Sequence, residues 1–298
     1  MRTRLAALAV AAVVGILVGS AFAATTPTRS HPAPHGTVRE DAIHSRSLDS
    51  ALHFAVWLPA GYGARPSWRY PVIYVLHGLP GGNGSYRLLL FLLPALRILH
   101  AQAIFVFPQG ARSRDSDDEY LDLGPGRNWA TALTRELPAA VAGRYRTIHA
   151  RAGRGIIGVS AGGYGAMILG LHNLGLYSAI ESWSGYFHPT SPDGSKPMTL
   201  TPERAAWANV HNLVPRLQAE TANDPTLIAF YTGAADPYPG FTAENEQFDR
   251  ELTAAGVAHR FAVYPGGHGP ALWLAHAAQW LELALHALAP AGPPTPPS

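Results

Sequence analysis

One stretch of the sequence decides the fold: Gly155-Ile156-Ile157-Gly158-Val159-Ser160-Ala161-Gly162-Gly163-Tyr164-Gly165. It places the pattern G-x-S-x-G between a short apolar run and a segment of helical character. Such a serine lies on a tight turn from a strand into a helix, where Cβ atoms at Gly158 and Gly162 would clash. The hydroxyl of Ser160 should therefore be exposed at the apex. The amide of Ala161 should lie at a helix N-terminus, which favours negative charge.

The segments on either side alternate between strand and helix patterns. Apolar runs that predict strands lie at 52–58, 70–76, 103–107, 155–159, 179–184, 227–232 and 260–264. Helical patterns lie at 88–100, 129–145, 161–171, 244–255 and 271–288. This alternation predicts an α/β fold with a mostly parallel central sheet and helices on both faces. An insertion near 186–225, rich in proline, interrupts the alternation, and we expect it to cover the site.

A serine hydroxyl needs a base to take its proton, and a histidine base needs a carboxylate to hold its tautomer. On this fold the chain order is serine, acid, histidine. Asp236 follows the strand at 227–232, and His268 follows the last strand in a glycine-rich loop. The alternatives are a turn aspartate before a proline for Asp236, with Glu244 and Glu246 as competing acids, and an ordinary loop histidine for His268.

Stabilisation of an oxyanion needs two N–H donors, and Ala161 supplies the first. The second should come from the loop His77-Gly78-Leu79-Pro80-Gly81-Gly82. Proline has no N–H, so Leu79 is the expected donor. We interpret His77 as a packed structural histidine.

The ends of the chain differ from the middle in composition. Residues 1–23 combine a basic start, an apolar run and an A-x-A end, which predicts a secretory signal peptide; an uncleaved membrane anchor is the alternative. Both place the rest of the chain outside the cytoplasm, with no stable membrane insertion if the signal is cleaved. We expect a linker at 24–44, the catalytic domain at 45–288 and a disordered Pro-rich tail at 289–298.

Composition excludes several classes of function. The 298 residues include no cysteine, which excludes disulfides, Fe–S clusters and a cysteine nucleophile. The formal net charge of +2 gives no reason to expect nucleic acid as a partner. His77, His188 and His268 lack the spacing of zinc ligands, and no motif calls for a metal or a cofactor.

The chain resembles the "putative esterase" family of α/β-hydrolases, which includes esterase D, feruloyl and acetylxylan esterases and secreted mycobacterial mycolyltransferases. The matching stretches are 55–62, 70–78, 135–138, 145–147, 158–166, 183–187 and 266–268. The resemblance implies a Ser-His-Asp hydrolase or acyltransferase, with Ser160, Asp236 and His268 matching the triad and Leu79 and Ala161 the oxyanion hole. Two positions depart from the family: Ala161 stands where many members have methionine, and Gly269-Pro270 follow the histidine.

These observations predict a secreted serine carboxylic-ester hydrolase that acts through an acyl-serine on a small-molecule, glycan or lipid ester. One alternative is a cell-envelope acyltransferase with a sugar or glycerol acceptor, and another is an inactive relative that serves as a binding protein or adhesin. The oligomeric state stays open. Candidates for the substrate-binding wall, besides Leu79, are Tyr164, Trp183, Phe187, Trp207 and Trp273.

Overall fold

The computed structural model describes residues 35–191 and 194–294, and within them eight strands form one sheet. The strands are β1 (Thr37–Ser45), β2 (Ser50–Leu58), β3 (Val72–Leu76), β4 (Ile104–Pro108), β5 (Arg154–Val159), β6 (Ala179–Trp183), β7 (Leu227–Gly233) and β8 (Arg260–Tyr264). Their order across the sheet is β1-β2-β4-β3-β5-β6-β7-β8. Strands β3 to β8 pair in parallel, whereas β1 and β2 are antiparallel to their neighbours. The prediction of a mostly parallel α/β sheet is confirmed.

The helices are α1 (Leu93–Ile98), α2 (Trp129–Thr131), α3 (Leu137–Arg144), α4 (Ala161–His172), α5 (Pro202–Ala208), α6 (Val214–Asn223), α7 (Phe241–Ala254) and α8 (Pro270–His286). A π-helical turn, Ala132–Glu136, joins α2 to α3, so the helix predicted at 129–145 is one continuous helical stretch. The helix predicted at 88–100 begins instead as a 3₁₀ helix, Ser85–Leu92, which leads into α1.

Two apolar cores cover the two faces of the sheet. Alternate residues of β3 point to opposite faces: Tyr74 packs into the core that contains α3, α4, α6 and α7, and Ile73 into the core that contains α1 and α8. Both faces of the central strands are therefore buried, which explains why these strands read as continuous apolar runs rather than as alternating ones.

The sequence did not reveal the first strand. The predicted linker at 24–44 is wrong from residue 37 onward, because Thr37–Ser45 forms β1 and pairs along its whole length with β2. Arg39, Glu40 and Asp41 in this strand are polar, as is common in edge strands that must not pair with other chains. The signal-peptide prediction for 1–23 lies outside the described residues.

The start of the predicted disordered tail is bound to the fold. The amide of Ala289 donates to the carbonyl of Ala152, and Arg69 and Gly292 exchange two backbone hydrogen bonds. The tail therefore docks just before β3 and β5, at the amino ends of the parallel strands; residues 295–298 lie outside the described part. Among the described helices, none has both the length and the apolarity needed to cross a bilayer.

The insertion has two parts. Its helices α5 and α6 pack against the C-terminal half of α4, where Arg216 donates to the carbonyl of Leu171. Its first residues lie nearer the carboxyl edge of the sheet, where the ring of Tyr186 lies 4.7 Å from that of Phe241.

Candidate active site

Ser160 occupies the turn between β5 and α4 in a conformation that few residues adopt, with φ 57° and ψ −129°. The close packing around it requires glycine on both sides. A Cβ at Gly158 would lie 2.0 Å from the carbonyl oxygen of Gly162, and a Cβ at Gly162 would lie 2.2 Å from that of Leu76. The strained turn is thus held by the packing of α4 against β3 and β5, and it presents the hydroxyl at the carboxyl edge of the sheet.

A line of hydrogen bonds joins Ser160, His268 and Asp236. The Oγ of Ser160 lies 2.8 Å from Nε2 of His268, and Nδ1 of His268 lies 2.7 Å from Oδ2 of Asp236. The other oxygen of Asp236 accepts from the amide of Tyr238 at 3.0 Å. The side chain of Asp236 is fully buried and that of His268 is 6% exposed, so water competes little for these bonds.

The loops that carry the acid and the histidine are bonded to each other. The amide of Ala234 donates to the carbonyl of Tyr264, and the amide of Ala235 donates to that of Gly266, both at 2.8 Å. These two bonds extend the pairing of β7 with β8 beyond the ends of the strands. The relative position of Asp236 and His268 therefore follows from the register of the last two strands.

The two amides expected to hold an oxyanion flank the serine. Neither the Leu79 amide nor the Ala161 amide donates to another residue in the described chain. The loop that contains Leu79 passes close to Ser160, because a Cβ at Gly78 would lie 3.3 Å from the Cβ of Ser160. Both donors are thus available next to the hydroxyl.

Both ring nitrogens of His77 form hydrogen bonds that hold this loop in place. Its Nδ1 donates to the carbonyl of Gly78 at 2.8 Å, and its Nε2 accepts from the amide of Gly110 at 2.9 Å. Complete burial lowers the pKa of His77 to about 4, so the ring is neutral. The hydroxyl of Tyr120 donates to the carbonyl of His77. These contacts fit the structural part expected for His77.

Three aromatic rings lie close to the imidazole of His268. The ring of Trp273 lies 5.6 Å from the imidazole, and its Nε1 donates to the hydroxyl of Ser184. The rings of Tyr238 and Phe241 lie 4.7 and 6.2 Å away. Sequence reasoning found Trp273 but missed Tyr238 and Phe241; the position of Tyr238, two residues after Asp236, was the available signal.

Four of the expected wall residues lie elsewhere. Tyr164, Trp183 and Phe187 are completely buried in the two cores, so they present no surface to a substrate. Trp207 stacks on His172 at the far end of α4, away from the turn that holds Ser160. The expectation that these four contact the substrate is corrected, because aromatic content alone does not separate core from wall.

Two buried carboxyl groups, Glu119 and Glu181, have raised pKa values. Burial raises the pKa of Glu119 well above its ordinary value, and its Oε2 accepts from the hydroxyl of Tyr186 at 2.6 Å. Burial also raises the pKa of Glu181, on β6, to about 8. Nε1 of Trp183 donates to its Oε2 at 2.9 Å, while its Oε1 has no partner among the described residues. Burial therefore favours the protonated form of both carboxyl groups.

No cluster of three or more potential metal ligands occurs in the described residues. His77, His188 and His268 have separate partners, since His188 pairs with Glu244.

Comparison with known proteins gives one family and several relatives. The family described as "Putative esterase" matches residues 45–281, a range that holds every residue of the site. Esterase Rv1288 of Mycobacterium tuberculosis is 28% identical over 247 residues, which cover 72% of this chain. The match covers 51% of that protein, so the chain spans about half the length of the curated relatives it matches.

Solved structures share the fold at lower identity. A ferulic acid esterase superposes with a TM-score of 0.70 at 22% identity, covering 85% of this chain and all of that one. An S-formylglutathione hydrolase from Agrobacterium tumefaciens superposes with a TM-score of 0.71 at 18% identity, covering 86% and 97% of the two chains. These neighbours support the α/β-hydrolase architecture.

Proposed function

The chain belongs to the "Putative esterase" family, and from that membership we propose that it is a serine esterase that cleaves carboxylic esters through an acyl-serine intermediate. The observation that carries the proposal is the unbroken line of hydrogen bonds from Ser160 through His268 to Asp236. A family member that only bound a ligand would not need these two hydrogen bonds.

In the acylation step, Nε2 of His268 takes the proton of the Ser160 hydroxyl as Oγ attacks the ester carbonyl carbon. Asp236 holds the ring with Nδ1 protonated and stabilises the imidazolium that forms. His268 then gives the proton to the leaving alkoxide, so the alcohol departs neutral and the acyl group stays on Ser160. In the second step the histidine activates water, which releases the acid and restores the serine.

The amides of Leu79 and Ala161 stabilise the oxyanion in both steps. Each is free of other partners in the described chain, and Ala161 begins α4, whose dipole favours negative charge at this end. Removal of one such donor costs about 3–4 kcal/mol of transition-state stabilisation in a comparable site.

The test is the cleavage of p-nitrophenyl acetate, butyrate and octanoate in single-turnover and steady-state measurements. A burst of nitrophenol should appear and should be lost in Ser160→Ala. Ser113→Ala, at an exposed serine, is the matched control and should keep the burst. Absence of turnover and of fluorophosphonate labelling in the folded parent protein would refute the esterase and favour the binding-protein alternative.

The same site can pass the acyl group to a sugar or glycerol hydroxyl in place of water, which is the acyltransferase alternative. The two reactions separate when glycerol or trehalose is added during turnover. Formation of a glyceryl or glycosyl ester, at the expense of free acid, would identify a transferase. An unchanged yield of free acid would identify a hydrolase.

We also propose export, on the basis of the N-terminal sequence 1–23. Expression of the whole chain in a bacterial host, followed by mass spectrometry of the exported protein, tests this. A mature N-terminus at Ala24 supports a cleaved signal, and an intact N-terminus in the membrane fraction identifies the anchor.

A further inference from the structure

A cleft of about 510 Å³ opens at the C-terminal end of α4, on the flank of the molecule. Its lining includes His172, the last residue of α4, and Trp207 from α5. At about 1.5 Å per residue, the twelve residues of α4 put this end about 18 Å from Ser160. None of the triad residues lines the cleft, so it is separate from the ester-cleaving site.

Trp207 supplies an aromatic surface to this cleft. The residue is 38% exposed, which is unusual for an indole in this chain. The imidazole of His172 stacks against it with ring centroids 4.1 Å apart and planes within 4°, and Nε2 of His172 donates to the carbonyl of Trp207 at 2.9 Å. Burial lowers the pKa of His172, so a neutral ring holds the indole in place. A rigid aromatic ring loses little conformational entropy when a ligand stacks on it.

Charged side chains of both signs line the cleft beside the indole of Trp207. The guanidinium groups of Arg135 and Arg204 have no acceptor among the described residues. Asp122 and Glu203 add carboxylates, and Asp122 already accepts from the amide and the hydroxyl of Thr131. The cleft therefore offers donors and acceptors in balance rather than a single sign of charge.

The cleft continues on both sides. A neighbouring depression of about 660 Å³ shares Thr134, His172 and Asn173 with it, and another of about 470 Å³ shares Leu123 and Arg204. The three depressions share lining residues, and we call them together the flank groove. A row of adjoining depressions suits a chain of units rather than a single small molecule.

We propose that the flank groove binds a polysaccharide chain, with one sugar ring stacked on Trp207 and its hydroxyls hydrogen-bonded to Arg135, Arg204 and the carboxylates. Sugar hydroxyls donate and accept alike, so they match a lining of both kinds, whereas a simple anion would be opposed by Asp122 and Glu203. An aromatic ring next to a few convergent polar groups is the usual composition of a small-ligand site. This binding goes beyond the proposed esterase activity and holds the protein on a polymer.

The test is electrophoresis of the folded protein in native gels that contain arabinoxylan, β-glucan, galactomannan or arabinogalactan, with dextran sulfate as the polyanion control. At least one neutral polysaccharide should retard the parent protein, and Ser160→Ala should be retarded equally. Trp207→Ala should weaken the retardation by about tenfold, as expected for an aromatic anchor. Ile98→Ala, at an exposed apolar residue on α1, is the matched control and should not.

Hydrolysis of p-nitrophenyl acetate, measured on the same samples, reports the fold and the triad and should stay within about twofold in Trp207→Ala. Arg204→Gln, at an exposed position, gives a second test if Trp207→Ala does not fold. The proposal is overturned if no polysaccharide retards the parent protein, if only dextran sulfate does, or if the groove variants bind as the parent does. Because binding and hydrolysis are read separately, each proposal can fail without the other.

Discussion

Glu181 should make the stability of this protein fall as the pH rises through the neutral range. The carboxyl group is completely buried on β6, and its Oε1 has no partner among the described residues. Between the ordinary pKa of 4.5 and the folded-state pKa of about 8, only the folded chain keeps the proton. Unfolding then releases a proton, so each rise in pH favours the unfolded state.

The size of the effect follows from the width of that window. Roughly 3.5 pH units separate the two pKa values, at about 1.4 kcal/mol per unit, so the full loss is about 5 kcal/mol. From pH 5 to pH 7.5 the loss should be about 3 kcal/mol. Glu181→Gln removes the titration but keeps an oxygen that can accept from Trp183.

The assay is the free energy of unfolding from guanidinium titrations at pH 5, 6, 7 and 7.5, followed by tryptophan fluorescence. Other titrating groups affect both proteins alike, so the informative quantity is the difference between Glu181→Gln and the parent chain. That difference should move in favour of the variant as the pH rises. Leu274→Ala, at an exposed position on α8 and without a titrating group, should give a constant difference. Parallel pH profiles for Glu181→Gln and the parent would refute the reasoning.

Three further predictions concern the candidate active site and the glycine turn that positions Ser160. Asp236→Asn should lower kcat for p-nitrophenyl esters by about 10³–10⁴-fold with little change in KM, because the wrong tautomer of His268 is favoured; a loss below tenfold would argue against Asp236 as the acid. Trp273→Ala should raise KM by about tenfold, because roughly 1.5 kcal/mol of apolar contact with the substrate is lost. The circular dichroism spectrum and the melting temperature should change little. An unchanged KM for esters of every acyl-chain length would show that Trp273 does not contact the substrate. Gly162→Ala should abolish folding, judged by soluble yield, since its Cβ would lie 2.2 Å from a carbonyl oxygen. Gly143→Ala is the control, because a Cβ there meets nothing within 4 Å. It should leave stability unchanged or stabilise α3 by up to about 1 kcal/mol.

Strands β3, β5 and β7, which lead to the loops of Leu79, Ser160 and Asp236, could be read from the sequence because they are buried on both faces. Their apolar, β-branched runs leave little alternative to a parallel sheet, and the chain order of Ser160, Asp236 and His268 follows from that sheet. The first strand was missed for the opposite reason. Arg39, Glu40 and Asp41 give it the composition of a linker, and only its pairing with β2 reveals a strand.

The surroundings of the triad could not be read in the same way. The rings of Tyr238 and Phe241 reach His268 through the path of a loop, which local sequence patterns do not encode. Aromatic residues were judged by type, yet Trp183 is core and Trp207 lies on the flank. Burial and position depend on contacts between segments far apart in the chain, so the sequence alone could suggest these residues but could not sort them.

The docking of residues 289–292 beside Arg69 and Ala152 has a practical consequence for immobilisation. Anything attached after residue 294, such as a resin, a sensor surface or a fusion partner, leaves the protein at the amino edge of the sheet. Ser160, the proposed nucleophile, lies at the carboxyl edge. A layer coupled through its C-terminus would therefore present Ser160 to the solution, whereas coupling through the side-chain carboxylates, of which the sequence has 20, would have no such orientation.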